Sequence, residues 1–385
     1  MVGRVVSDDG TGREPLVIIG EAPGFHEDKE GRPFVGPAGY RIRDWMSAVG
    51  LERQDAYWTN VYERRPPGNA IGTIARAEIE ASVERLHERL ARLVDPIVIV
   101  PTGNVALRAL TGKGYFPWEG KKRPGGVTIP GIMNHRGSVY SYTDLNGRVI
   151  KVIPTLHPAM TFRQTTMEKR CRIDWKRIAG DLEFRELRLP VREHVINPTL
   201  NDLYWFRDSG QWLTRESVVT IDLEWVPPRK DGGRCQVLCV GLAVGPDLSL
   251  TVPTTMAYWR SKVDLWEAWC WIKSVVEGPN EKVLQHGHSD AYVLKRLHKI
   301  TICNRRWDTL AMHHTIDAND DHDLAYLASI YTRQPYWKAE AKDPEEIRKY
   351  ATNFEALLTY NGIDCCVTHE LFGVFLEMLE DERRV

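Results

Sequence analysis

The first 170 residues contain no cysteine, and none of the seven cysteines that follow forms a Cys-x-x-Cys pair. That excludes a disulfide framework as the source of stability, and the thiols read as reduced. No apolar run is long enough to cross a bilayer: the longest, such as Ile97-Val98-Ile99-Val100, have the length of a strand. The polar first residues lack the apolar segment of a secretory signal. Together these absences predict a cytoplasmic chain with no membrane partner. Charge of one sign is also missing, since 51 Lys and Arg face 52 Asp and Glu for a net charge of -1. That balance argues against holding nucleic acid through bulk charge. Local clusters would have to do it, at Arg64-Arg65, Lys121-Lys122-Arg123 and Lys169-Arg170 with Arg172. There is no internal repeat and no low-complexity segment.

What is present is an ordinary globular composition, 43% apolar and 27% charged, over 385 residues, a length that favours two cores over one. The first half alternates strand and helix signals, the mark of an α/β domain with a mainly parallel sheet. Strands are predicted at Leu16-Val17-Ile18-Ile19, at Ile97 to Val100 and at Val149-Ile150-Lys151-Val152-Ile153. Each runs into a turn rich in glycine, proline or polar residues, so three polar loops point at one crevice beyond the carboxyl ends of the strands. Ile79, Val83, Leu86, Leu90 and Leu93 recur at spacings of four and three and form the buried face of a helix.

The alternation lapses between Leu187 and Leu213, where Pro190, Pro198 and Gly210 interrupt the chain. This divides it into a first domain at 1–190, a linker at 191–214 and a second domain at 215–385. The second opens with strands at Val218 to Ile221, Gln236 to Leu242 and Leu248 to Val252, joined as an antiparallel meander. Helical signals follow at Val263 to Val276, Ala291 to Leu297, Leu324 to Ile330 and Pro344 to Leu379.

Three landmarks carry chemistry in the first domain. The first is Gly20-Glu21-Ala22-Pro23-Gly24, with Glu27-Asp28 and Gly31-Arg32-Pro33-Phe34-Val35-Gly36-Pro37-Ala38-Gly39 after it. The second is Thr59-Asn60-Val61 with Arg65-Pro66-Pro67-Gly68-Asn69, and the third is Thr155-Leu156-His157-Pro158-Ala159. In type, order and spacing they resemble the motifs of family 4 uracil-DNA glycosylases. The resemblance implies a three-layer α/β/α domain that excises uracil from DNA by hydrolysing the glycosidic bond. Cleaving that bond leaves positive charge on the sugar and negative charge on the base, after the nucleotide has left the stack. Glu21 is expected to place a water and offset the sugar charge, and His157 to donate to the uracil O2. Phe34 is expected to stack on the flipped base, and Asn60 to read its pairing edge, with Gly20 and Ala22 lining the pocket. Exclusion of the thymine methyl falls to His26 or Glu27, and an apolar wedge to Met160 or Phe162. Taken singly, Glu21 reads more readily as a helix cap and His157 as a ring bonded to a neighbouring carbonyl; the three landmarks together reverse that.

The chain departs from that family in its cysteines. Family 4 members hold an iron-sulfur cluster on four cysteines, whereas here Arg64 stands before Arg65-Pro66-Pro67 and no cysteine precedes Cys171, so no iron-sulfur cluster is expected. No histidine occurs in residues 64 to 75 to trap the product covalently.

In the second domain Asp222-Leu223-Glu224 lies in a strand, where residues two apart share a face. Tyr360-Asn361-Gly362-Ile363-Asp364 lies in a helix, where residues four apart share a face. Between them Leu284 to Asp290 reads as a strand entering a helix. The three segments resemble the motifs of DEDDy 3′ to 5′ exonucleases, including the proofreading domain of DNA polymerase I, and imply a ribonuclease H-like mixed sheet. Four acids in one cleft repel unless cations occupy it. Asp222, Glu224, Asp290 and Asp364 are the expected ligands of two divalent cations, Mg²⁺ or Mn²⁺, and Tyr360 is expected to orient the attacking water. His286 stands where these enzymes have Asn. A zinc site from Cys235, Cys239, His298 and Cys303 is rejected on spacing.

The sequence thus predicts a bifunctional enzyme acting on uracil-containing DNA and on 3′ ends. Other readings are a uracil-sensing module that targets an exonuclease, an RNA exonuclease, and a proofreading exonuclease serving a separate DNA polymerase.

Overall fold

The computed structural model describes residues 2–121, 128–227, 235–338 and 354–384. Lys122, Arg123 and the first ten residues of the helix expected from Pro344 lie outside the described residues. The chain divides into two compact units, Met1–Leu189 with Arg333–Tyr336, and Pro190–Thr332 with Trp337–Val385.

The first unit is built on a five-stranded sheet of order β2-β1-β3-β5-β4. Its strands are β1 (Leu16–Gly20), β2 (Ala56–Asn60), β3 (Val98–Pro101), β4 (Tyr140–Thr143) and β5 (Val149–Val152). All neighbours are parallel except the edge pair β4 and β5. Every residue of β1 is buried, as a central strand covered on both faces requires. Alternate side chains enter different cores. Leu16 and Ile18 pack with Trp45 of α2 (Pro37–Ser47) and Trp175 of α6 (Met167–Leu182). Val17 and Ile19 pack with Ile79, Leu86 and Leu90 of α3 (Arg76–Ala91) and Val105 of α4 (Asn104–Thr111). The result is the three-layer α/β/α domain expected. Two short helices, α1 (Phe25–Glu30) and α5 (Ile132–His135), complete the unit.

The second unit carries a six-stranded mixed sheet of order β11-β10-β7-β8-β9-β6, with β6 (Glu193–Val195) at one edge. The meander β7 (Val219–Val226), β8 (Gln236–Ala243) and β9 (Leu248–Pro253) is antiparallel. Strands β10 (Lys282–Leu284) and β11 (Arg305–Asp308) extend it in parallel from β7. This is a mixed sheet, as expected. Helices α8 (Lys262–Val276), α9 (His288–His298), α10 (Thr309–Ile316), α11 (Leu324–Tyr331) and α12 (Phe354–Arg384) accompany the sheet. No described helix is long and apolar enough to cross a membrane.

Residues 191–214 are not a linker. They form strand β6 (Glu193–Val195), parallel to β9, and helix α7 (Leu200–Asp208). The side chains of Leu203, Phe206 and Trp212 enter the main core of the second unit. Helix α7 starts at a capping box: the Thr199 hydroxyl accepts from the Asp202 N–H at 3.2 Å, and the Asp202 carboxylate accepts from the Thr199 N–H at 2.8 Å. Prolines at 190 and 198 bracket this short strand, and their punctuation hides an element that belongs to the second fold.

Candidate active sites

Four parallel strands of the first unit end at one edge, and their trailing residues enclose a cavity of about 600 Å³. Glu21 follows β1, Asn60 ends β2 directly opposite Gly20, and Thr102 to Asn104 follow β3. His157 lies five residues past β5 and caps a short 3₁₀ turn, Pro158–Met160. Gly20, Glu21, Ala22, Phe34, Asn60 and His157 all line this cavity, so the residues expected to bind the base and cleave its bond meet there.

Local geometry fixes each of them. A Cβ on Gly20 would collide with Asn60 Oδ1 and come within 2.8 Å of the Phe34 ring, so the bare Cα is what lets amide and ring close over the strand end. Phe34 has φ of 55°, in the left-handed region that a bulky residue rarely adopts. Its carbonyl accepts from Arg43 Nη1 at 2.9 Å and Arg53 Nη1 at 3.2 Å, while Arg53 Nη2 donates to the Pro33 carbonyl at 2.8 Å. Nothing in the sequence pattern marked Arg43 or Arg53, because they act on Phe34 from 9 and 19 residues away.

Burial pushes the Glu21 carboxyl up. Burial also holds the His157 imidazole down to about 4, against the opposing pull of the Glu27 carboxylate. His157 Nδ1 accepts from the Ala159 N–H at 3.2 Å. A neutral ring that accepts at Nδ1 carries its proton on Nε2. Of the two residues considered for thymine exclusion, Glu27 is buried and lines the cavity, accepting from the N–H groups of Gly24 at 3.1 Å and Gly36 at 2.7 Å, while His26 is exposed. Of the two wedge candidates, Met160 lines the cavity and packs on the core, and Phe162 is exposed.

In the second unit, β7 and α12 bring Asp222, Glu224 and Asp364 together, with one carboxylate oxygen of each within 4.8 Å of the others. Asp290, in the first turn of α9, is not in that group. It is buried nearby, close enough that its charge acts on Asp222 and Glu224. Burial, then the charges of Asp364, Glu224 and Asp290, push Asp222 well up, with Lys338 opposing. Burial first and Asp364 next push Glu224 up to about 8. Burial raises Asp290 to about 7, against a hydrogen bond from Trp225. Carboxylates held so far above their ordinary range are a charge cluster short of counter-charge, and an all-oxygen donor set of this kind suits a divalent metal ion.

The roles of Asn361 and Lys338 escape the sequence reading, and Asp308 enters it only as part of the stretch Trp307-Asp308-Thr309-Leu310. Asn361 Nδ2 donates to Asp222 Oδ2 at 2.7 Å, and Gly241 on β8 has to be bare because a Cβ would collide with the Asn361 amide. Asp308 accepts from the N–H groups of His286 at 2.9 Å and Gly287 at 3.0 Å, fixing the turn into α9 where His286 has φ of 55°. Lys338 Nζ lies 3.0 Å from Asp364 Oδ2 and 3.1 Å from Tyr360 Oη. The cleft at this cluster has a volume of about 400 Å³ and is lined in part by Asp222, His286, Lys338 and Asp364.

A polar-lined cavity beyond parallel strand ends and a carboxylate cluster on a mixed sheet mark a two-domain hydrolase acting on nucleic acid. Residues 8–179 match the uracil DNA glycosylase superfamily, and residues 210–380 match a 3'-5' exonuclease family. The chain is 32% identical over 176 residues to a type-4 uracil-DNA glycosylase of Archaeoglobus fulgidus, covering 45% of this chain and 79% of that one. It is 36% identical over 167 residues to the type-4 enzyme of Thermotoga maritima, covering 43% of this chain and 76% of the other. The second half is 26% identical over 162 residues to a DNA polymerase of Bacillus phage SP01, covering 42% of this chain but 15% of the polymerase. The chain belongs to the uracil-DNA glycosylase superfamily, and a 3′ to 5′ exonuclease domain follows its glycosylase domain.

Proposed function

We propose that the residues gathered in the first cavity excise uracil and that those in the second cleft hydrolyse DNA from its 3′ end. The observation that carries the first assignment is that one cavity collects Glu21, Asn60 and His157 from separate strand ends and Phe34 from the loop between α1 and α2. Glu21 directs a water at the anomeric carbon and offsets the positive charge that grows on the sugar. His157 donates from Nε2 to the uracil O2, so the leaving base is stabilised as an anion by a neutral donor. Phe34 stacks on the extruded base. Asn60 accepts from uracil N3 and donates to O4, and cytosine would leave both groups unpaired at about 1 to 3 kcal/mol each. Glu27 closes the pocket against the thymine methyl, and the exposed Phe162 is the wedge that fills the vacated stack.

In the second cleft, Asp222, Glu224 and Asp364, with Asp290 beside them, would hold two divalent cations, Mg²⁺ or Mn²⁺. When bound, they supply an activated water and stabilise the departing 3′ oxygen. Tyr360 orients that water, Asn361 fixes the Asp222 carboxylate, and Asp308 holds the turn that carries His286 at the cleft. A separate polymerase is a further proposed partner, supported by the likeness to the phage polymerase.

The test uses end-labelled single-stranded DNA bearing one uracil, with and without EDTA. Uracil release should survive EDTA while shortening from the 3′ end stops. Loss of both activities with EDTA would refute the division of labour.

A further inference from the structure

Asp364 is a proposed metal ligand, yet both of its carboxylate oxygens are already engaged by one dipeptide. Trp337 Nε1 donates to Oδ1 at 2.6 Å, and Lys338 Nζ donates to Oδ2 at 3.0 Å. Neither contact is a loose surface pairing: the Lys338 side chain is 13% exposed and that of Asp364 is 5% exposed. The same ammonium reaches Tyr360 Oη at 3.1 Å and lies 5.3 Å from the centre of its ring. It therefore touches two of the residues assigned to the exonuclease reaction and lines the cleft together with Asp222 and Asp364.

A carboxylate that accepts from an ammonium on one oxygen and an indole N–H on the other has its charge largely answered. A divalent cation approaching Asp364 meets a fixed positive charge on the same carboxylate, in a cleft where water screens it poorly. We infer that Trp337 and Lys338 are a built-in cation surrogate, which divalent metal must displace from Asp364 before the exonuclease centre is complete. Metal binding is then coupled to release of this pair. The inference rests on the reading that the carboxylate cluster binds divalent cations.

The experiment is a Mn²⁺ titration of the full-length protein without DNA, with free Mn²⁺ followed by electron paramagnetic resonance. Lys338→Met should bind Mn²⁺ at least about tenfold more tightly than the parent, given the coupling measured between close buried charges. Trp337→Phe, which removes the indole donor and keeps Lys338, should shift affinity the same way by less. It decides the matter if Lys338→Met does not fold. Mn²⁺ affinity unchanged or weakened in both variants would overturn the inference and leave the exonuclease assignment intact. Asp222→Asn separates the two ideas, because it should abolish tight Mn²⁺ binding. If the parent binds no Mn²⁺ and Asp222→Asn changes nothing, the metal-dependent reading fails together with the inference.

Discussion

The backbone N–H of Ala159 donates to Nδ1 of His157 at 3.2 Å, two residues along the turn that His157 caps. This contact sets the tautomer, while burial holds the ring down to about 4. The folded value lies below the unfolded value of about 6.5, so the neutral ring's contribution to stability is present above 6.5 and fades as pH falls toward 4. Uracil excision measured as kcat/KM should accordingly show no inflection near 6.5. Its acid limb should belong to Glu21, whose carboxyl burial raises. A clear loss of activity between pH 7 and 6 that disappears in His157→Gln would contradict the neutral donor.

Gly20→Ala tests the packing of Asn60 and Phe34 over the strand end. The added methyl has to push both away, and a displacement of about 1 Å at a reacting centre can cost about 100-fold in rate. Single-turnover excision of uracil should fall by that order. Shortening of uracil-free DNA should stay at the parent rate, and a loss of both activities would mean that the substitution unfolds more than the pocket.

Asn60→Asp changes the reading edge without changing its size. Excision of uracil should drop about tenfold or more, because an ionised acid cannot donate to O4 and loses a hydrogen bond of roughly 1 to 3 kcal/mol. In its protonated form it could complement cytosine, so cytosine release should be sought at low pH. Unchanged rates on uracil would remove Asn60 from recognition.

Leu203→Ala asks whether residues 191–214 belong to the second fold. Leu203 is fully buried among core residues, and truncating a buried leucine costs about 2 to 5 kcal/mol. A substitution in a true linker would cost less than about 0.5 kcal/mol. Urea unfolding of the second unit, monitored by its exonuclease activity, distinguishes the two.

Much of this arrangement was written locally. The unbroken apolar run of β1 announced a strand buried on both faces, and the landmarks around Glu21, Asn60 and His157 each sit within a few residues of a strand end. Asp222 and Glu224 share a face by strand period, and Tyr360 and Asp364 by helix period. What was not legible acts across sequence distance. Lys338 reaches Asp364 from 26 residues away, and Arg89 reaches Asp8 from 81 residues away while also bonding Thr59 and Asn60 at the end of β2. No periodicity encodes such contacts. Strand β6 is three residues long, too short for a period of two to be read. Helix α7 did carry a local signal, Thr199 and Asp202 ahead of Leu203 and Phe206, but the flanking prolines masked it.

The left-handed backbone at Phe34, pinned by Arg43 and Arg53, bears on when the cost of an unfavourable geometry falls. Because two guanidinium groups hold the Pro33 and Phe34 carbonyls, the ring is positioned by the protein's own contacts and needs none from the base. The strain is then met once, when the chain folds, and not again at each turnover. Binding energy from the extruded nucleotide is left for the unstacking of the DNA itself, the step that the glycosylase cannot complete in advance.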